Sequence, residues 1–201
     1  MDLRLIAWAR AAATRHRHNR RQAILWLFTD ARRLPDPRPA VARLPIGLAG
    51  VVLRHDGDPG RSALARDLAR ICRARRLALV VAGDVRLAAA VGAGVHLRGG
   101  RWPSVVRPVM RHGRRLITSS AHGPADLLRA QRGGATLAFL SPAFPTASHP
   151  DVVALGTVRW SRLARMAPGL RMAALGGMDG ATIRRLPRRV CRAVGAIGAL
   201  A

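Results

Sequence analysis

Residues able to do chemistry recur at one kind of place in this sequence, directly after short apolar runs. Asp30 follows AILWLF (23–28) at a distance of one threonine, Arg54 closes IGLAGVVLR (46–54), and Asp84 follows LALVVAG (77–83). Ser120 ends RLITSS (115–120) with His122 just beyond it. ATLAFL (135–140) opens into SPAFPTASHP (141–150), where two prolines bracket an aromatic and are followed by Thr146, Ser148 and His149. Gly176-Gly177 end RMAALGG (171–177), and Ile197-Gly198 end RAVGAIG (192–198). Glycines at the last two of these points let backbone N–H groups approach an anion closely, and phosphate binding is the chemistry they suggest. Each member also has a plainer use: glycines make turns, Ser120 suits the cap of a following helix, and His122 suits a solvated loop.

The elements that must position these residues alternate. Between the apolar runs lie amphipathic stretches, such as RSALARDLARICRARR (61–76), where Leu64, Leu68, Ile71 and Cys72 recur at helical spacing with arginines opposite. DVRLAAAVGA, GPADLLRAQRGG and TVRWSRLARMA read as further helices, the second stopped by its two glycines. PSVVRPVMRHG (103–113) and MDGATIRRL read as crossings. Eight short strands, counting GVHLR (94–98), in βα order predict a parallel sheet closed into a (β/α)₈ TIM barrel, an α/β fold. An open doubly wound sheet is the other solution. The G-x-G of VGAGVH precedes a strand, so it is no dinucleotide fingerprint. In a barrel all the strand-end residues named above share one face, which unrelated turns have no reason to do.

Residues 23–201 are thus expected to form one barrel domain, and residues 1–22 a basic N-terminal helical extension. MDLRLIAWARAAATRHRHNRR reads as an amphipathic helix or as an Arg-rich transit peptide. It lacks the order of a signal peptide, and no apolar run reaches the roughly 18 residues of a membrane span, so a cytoplasmic location is expected. The segment caps the barrel, packs on a second copy in a homo-oligomer, or hangs free; the sequence allows all three.

The chain of 201 residues carries 35 basic and 10 acidic side chains, all of them Arg and Asp, with no Lys, Glu or Tyr. Schiff-base chemistry and a lysine base are therefore excluded, and acid–base or metal work falls to Asp and His. Cys72 and Cys191 show no ligand spacing and are expected reduced and buried. The arginines are spread over every helix, and the chain has only four Trp and three Phe. A solvated basic surface is the better reading than a specific nucleic-acid site, although net charge alone admits one.

From about residue 23 onward the chain resembles the thiamine phosphate synthase and thiazole tautomerase family. SPAFPTASH is the most specific match, supported by VVLR, AVGAGVHL, ITSSAHG, AALGGM and VGAIGAL in the family's order. The resemblance implies a (β/α)₈ fold and a synthase that joins hydroxymethylpyrimidine pyrophosphate to thiazole phosphate, with Mg²⁺ as cofactor. It implies that Thr146, Ser148, Gly177, Ile197 and Gly198 meet the thiazole phosphate. Arg54 and Ser120 would meet the pyrophosphate, with His149 standing where the family has a loop lysine, and His122 nearby. A tautomerase would carry a histidine where this chain has Pro142.

The departures fall on the pyrophosphate half. The family's Gln-Leu-Arg-x-Lys is here Val52-Leu53-Arg54-His55-Asp56. Its Asn-Asp aligns with Ala82-Gly83, or with Gly83-Asp84 after a shift, and its second metal aspartate falls near Arg101. The Mg²⁺ ligands are thus largely absent. A non-catalytic or tautomerase-like family member that binds thiazole phosphate or thiamine phosphate is the alternative to a divergent synthase.

Overall fold

The computed structural model describes residues 1–15, 22–99, 115–148 and 151–201. Eight strands close into a parallel barrel in sequence order: β1 (Leu25–Phe28), β2 (Ala49–Leu53), β3 (Ala78–Ala82), β4 (Gly94–Leu97), β5 (Ile117–Ala121), β6 (Leu137–Leu140), β7 (Arg171–Ala174) and β8 (Cys191–Ala196), with β8 pairing back onto β1. The closed barrel, and not the open sheet, is the solution this chain takes. Between the strands run α2 (Arg38–Arg43), α3 (Arg61–Ala74), α4 (Val85–Ala90), α5 (Pro124–Arg132), α6 (Gly156–Arg165) and a 3₁₀ turn at Thr182–Arg185, while α1 (Leu3–Arg15) precedes the barrel. The crossing expected over 103–113 lies outside the described residues.

Alternation along the strands sorts side chains into two cores. Residues pointing outward join the helices' apolar faces, as Leu64, Ala65, Leu68, Ala69 and Cys72 do on α3. Residues pointing inward form a second cluster around Trp26, Phe28 and Phe139. Phe139 meets both of the others edge to face, at centroid distances of 5.7 and 4.8 Å. Room for these rings comes from glycines on the flanking strands. A methyl group at Gly50 would lie 2.6 Å from the Trp26 ring, and one at Gly195 would lie 2.8 Å from Phe28.

Some boundaries differ from the sequence reading. Ile46, Gly47 and Leu48 are apolar enough to extend β2, but Gly47 has φ +72° and turns the chain, so the strand begins at Ala49. The two glycines after α5 do end it, Gly134 taking φ +78°. Arg76 makes the corresponding turn after α3 without glycine, at φ 54°.

The N-terminal segment is a helix whose Leu5, Ile6, Trp8 and Ala9 are buried in the outer core. Asp2 fixes its start: one carboxylate oxygen accepts the N–H groups of Arg4 and Leu5, and the other accepts that of Gly180 at 2.6 Å. The Asp2 N–H donates to Ala199 O at 2.7 Å. The first turn of α1 is therefore tied to the loops after β7 and β8. Burial raises the Asp2 carboxyl, but the N–H groups of Gly180, Leu5 and Arg4 outweigh it and hold it below 3.8. Cys72 and Cys191 are buried and unpaired, and burial pushes both thiols up to about 12. Among the described residues, no helix is long and apolar enough to cross a membrane.

Filling the inner core by ring into glycine makes a specific demand on Gly50. Gly50→Ala is expected to cost about 1–3 kcal/mol in urea denaturation, and Trp26→Leu in the same chain should recover part of that loss by vacating the space.

Candidate active site

The carboxyl ends of the strands surround a cavity of about 1180 Å³. Its floor is the top of the inner core. There His96, 1 % exposed, sets Nδ1 2.9 Å from Thr118 Oγ1 and Nε2 2.9 Å from Ser120 Oγ. The ring also stands edge-on to Phe28 at 5.6 Å and Phe139 at 5.7 Å. Burial, and then the charges of Arg54 and Arg98, bring its pKa down to about 3. The ring is consequently neutral, with one nitrogen donating and the other accepting, which locks the two hydroxyls of β5 into a fixed pattern. Ser120 belongs to this network and does not cap α5; instead the Asp126 carboxylate of that helix accepts the His122 N–H at 2.8 Å.

Beside it, His55 is buried and reads as an anchor for Arg54. Nε2 of His55 donates to Pro35 O at 3.2 Å, and Nδ1 is hydrogen-bonded to Thr29 Oγ1 at 3.0 Å. Thr29 Oγ1 in turn accepts the Arg54 N–H at 2.9 Å. The first residue past β2 is thereby clamped to the end of β1, and Arg54 lines the cavity. Across the cavity His122 Nδ1 donates to Ser141 O at 2.9 Å, which holds the ring on the cavity wall.

The Pro-rich loop after β6 is built against the loop after β7. Ala143 and Phe144 donate N–H bonds to Leu175 O and Gly176 O at 2.8 and 3.1 Å, and the Ser141–Pro142 peptide is cis. A Cβ at Gly177 would stand 2.4 Å from Pro145 O, and φ there is +62°, so only glycine admits this approach. Phe144 is buried under the Arg185 guanidinium, 4.7 Å from the ring centre. Thr146 and Ser148 then face Gly177, Ile197 and Gly198 around the same wall.

Arg33, from the loop after β1, completes that wall. Its guanidinium donates to Ser148 Oγ and lies 3.9 Å from where a Cβ of Gly198 would be. Asp30 places it: Oδ1 accepts the N–H groups of Arg32 and Arg33 at 3.1 and 3.0 Å. Burial raises the Asp30 carboxyl, but those two bonds and the charges of Arg54 and Arg33 carry it below 3.8. Hydroxyls, glycine backbone and a guanidinium converging on one wall make an anion cradle.

On the β2–β4 side the carboxylates are already engaged. Asp84 caps α4, accepting the Leu87 N–H at 2.8 Å, and lies 3.9 Å from Arg61. Asp56 pairs with Arg61 at 3.3 Å and with Arg98. No cluster of three His, Cys or Asp side chains fit for a metal occurs among the described residues.

Of the residues singled out from sequence, Arg54, Ser120, His122, Thr146, Ser148, Gly177, Ile197 and Gly198 all line the one cavity. His149 and Arg101 lie outside the described residues. Sequence reading missed His96, Arg33 and Arg98. Only His96 carried a signal: a histidine on the inward face of an apolar strand must find polar partners on its neighbour.

The chain matches the family described as thiamine monophosphate synthase over residues 29–200. It is 32% identical over 144 residues to a thiamine-phosphate synthase of Geobacillus kaustophilus, covering 70% of this chain and 64% of that one. A thiamine-phosphate synthase of a Synechococcus species is 28% identical over 195 residues, 91% of this chain and 55% of that one. The chain thus spans less than two thirds of the length of these relatives. Among solved structures, a thiamine phosphate pyrophosphorylase from Pyrococcus furiosus superposes with a TM-score of 0.74 over 90% of this chain and 89% of that one, at 22% identity, a likeness of fold.

The buried histidine sets a pH dependence. Below 6.5 the unfolded chain takes up a proton that folded His96 refuses until about 3. Stability is therefore full above 6.5 and should fall with pH through that window by up to about 1.4 kcal/mol per unit. His96→Asn, followed by urea denaturation across the same range, is expected to flatten the slope between pH 6.5 and about 4.

Proposed function

We propose that this chain, which belongs to the thiamine monophosphate synthase family, joins hydroxymethylpyrimidine pyrophosphate to thiazole phosphate, giving thiamine phosphate and pyrophosphate. The observation that carries this reading is the anion cradle formed by Thr146, Ser148, Gly177, Gly198 and Arg33 opposite a second basic wall around Arg54 and Arg98. Two phosphate-bearing substrates need two anion sites in one cavity, with room between them for both rings.

In the proposed reaction the C–O bond of the pyrimidine's methylene group breaks, and its electron pair leaves on the pyrophosphate. The thiazole nitrogen lone pair forms the new C–N bond, and the ring becomes a thiazolium; no proton is transferred. The protein's task is accordingly electrostatic: holding both phosphates and stabilising negative charge on the leaving group. Arg54 serves there, its backbone fixed through Thr29 and His55. Ser120, held by neutral His96, offers a hydroxyl on the cavity floor without adding a charge to repel the pyrimidine cation. The thiazole phosphate rests on the cradle, where Arg33 supplies the fixed charge. His122 completes the same rim as a substrate contact.

A second reading has its own support. The engagement of Asp56 and Asp84 by arginines favours a protein that binds thiazole phosphate or thiamine phosphate without making the bond. Tautomerisation is disfavoured, since Pro142 stands where that chemistry has its base.

Incubating the purified chain with both substrates and following thiamine phosphate separates these readings: product is expected, and tight thiazole phosphate binding without product would replace synthesis by binding. Arg33→Gln is expected to raise the KM for thiazole phosphate about tenfold with kcat little changed, because the lost contact serves bound substrate and transition state alike.

A further inference from the structure

The described residues do not fit a magnesium ion. Mg²⁺ takes oxygen ligands in near-octahedral array at about 2.0–2.1 Å, usually with carboxylates among them. Asp84 has one oxygen committed to the start of α4 and the other turned toward Arg61. Asp56 is shared between Arg61 and Arg98. Arg61 thus stands between the two carboxylates, 3.3 Å from one and 3.9 Å from the other, where an ion joining them would have to lie. It is also tied to the carbonyl of Ala82, and its side chain is only 17 % exposed. Displacing it would leave a guanidinium unpaired in a desolvated site, which is costly.

We propose that Arg61 and Arg98 stand in for the divalent cation, so that pyrophosphate binds this chain without metal. The inference rests on the substrate assignment given above for this cavity. The two arginines have different tasks. Arg61 is fixed and holds Asp56 and Asp84 in place. Arg98, on the cavity wall with a 45 % exposed side chain, holds Asp56 as a place-holder. An arriving pyrophosphate takes over the Arg98 fork, while Arg61 retains Asp56. Guanidinium groups suit this exchange because they present paired N–H donors to phosphate oxygens and keep their charge at any working pH. Arg54, on the same side of the cavity, adds a third cation. Asp56 is then a competitor of the ligand and not a metal donor, and its removal distinguishes the two roles by the sign of its effect.

The test is titration of the full chain with inorganic pyrophosphate, followed by calorimetry, once with excess EDTA and once with excess Mg²⁺. Binding in EDTA is expected, at least as tight as with Mg²⁺. Asp56→Asn should tighten it severalfold by removing the carboxylate that competes with the ligand for Arg98, and Arg98→Gln should weaken it about tenfold or more. Both positions are partly exposed, and unchanged circular dichroism and melting verify that the variants fold. Binding that requires Mg²⁺, binding that Asp56→Asn weakens, or no binding under either condition overturns the inference. Metal-free pyrophosphate binding in a chain that forms no thiamine phosphate would leave it standing while refuting the synthase assignment.

Discussion

Closure of eight parallel strands around three aromatic rings is the constraint on which everything else in this molecule depends. A barrel interior must be filled by side chains. Here Trp26, Phe28 and Phe139 fill it only because Gly50 and Gly195 give way beside them. Filling by rings brings the apolar core up to the level of Phe28, near the carboxyl ends of the strands. The next layer can then be polar: His96, Thr118 and Ser120 satisfy one another directly above the rings. The cavity floor is thus dry below and hydrogen-bonding above, and its histidine is neutral because the rings beneath exclude water.

The walls follow from the same geometry. Parallel strands deliver every βα loop to one rim, but the loops hold their shape through contacts with each other. The β1 and β2 loops are joined by Thr29, His55 and Pro35; the β6 and β7 loops are joined by backbone bonds that only Gly177 permits. The anion cradle spans these pairs, since Arg33 of the first reaches Ser148 of the second. Its geometry is therefore a property of the closed barrel and not of any one loop, and α1, tied through Asp2 to Gly180 and Ala199, braces the remaining side.

Much of this was legible in the residues. Alternation of short apolar runs with amphipathic stretches specifies a parallel sheet, the count of eight favours closure over an open sheet, and closure places Arg54, Ser120, Thr146 and Gly198 on one rim. What could not be read depends on contacts distant in sequence. Ile46-Gly47-Leu48 is as apolar as a strand, and only the backbone at Gly47 ends it. His96 is two residues inside a run that reads as core, and its role appears only when β5 lies alongside. Arg33 and Arg98 are two among 35 arginines, and nothing local distinguishes them. The bridging of Asp56 and Asp84 by Arg61 joins the connection after β2 to the one after β3, which spacing does not encode.

The composition also bears on how charge is managed in the site. Of ten aspartates, Asp2, Asp30, Asp36, Asp58, Asp84, Asp126 and Asp179 accept backbone N–H groups, fixing turns and helix starts. Carboxylates so few and so committed to the backbone are poor material for a metal centre, which needs several of them converging and unengaged. Guanidinium groups are abundant, permanently charged and able to pair with carboxylate or phosphate by the same fork of donors. In a chain of this composition the cation for a leaving phosphate is most readily one that the sequence itself carries, and at Asp56 two such cations share one carboxylate, Arg61 held fixed behind it and Arg98 on the cavity wall.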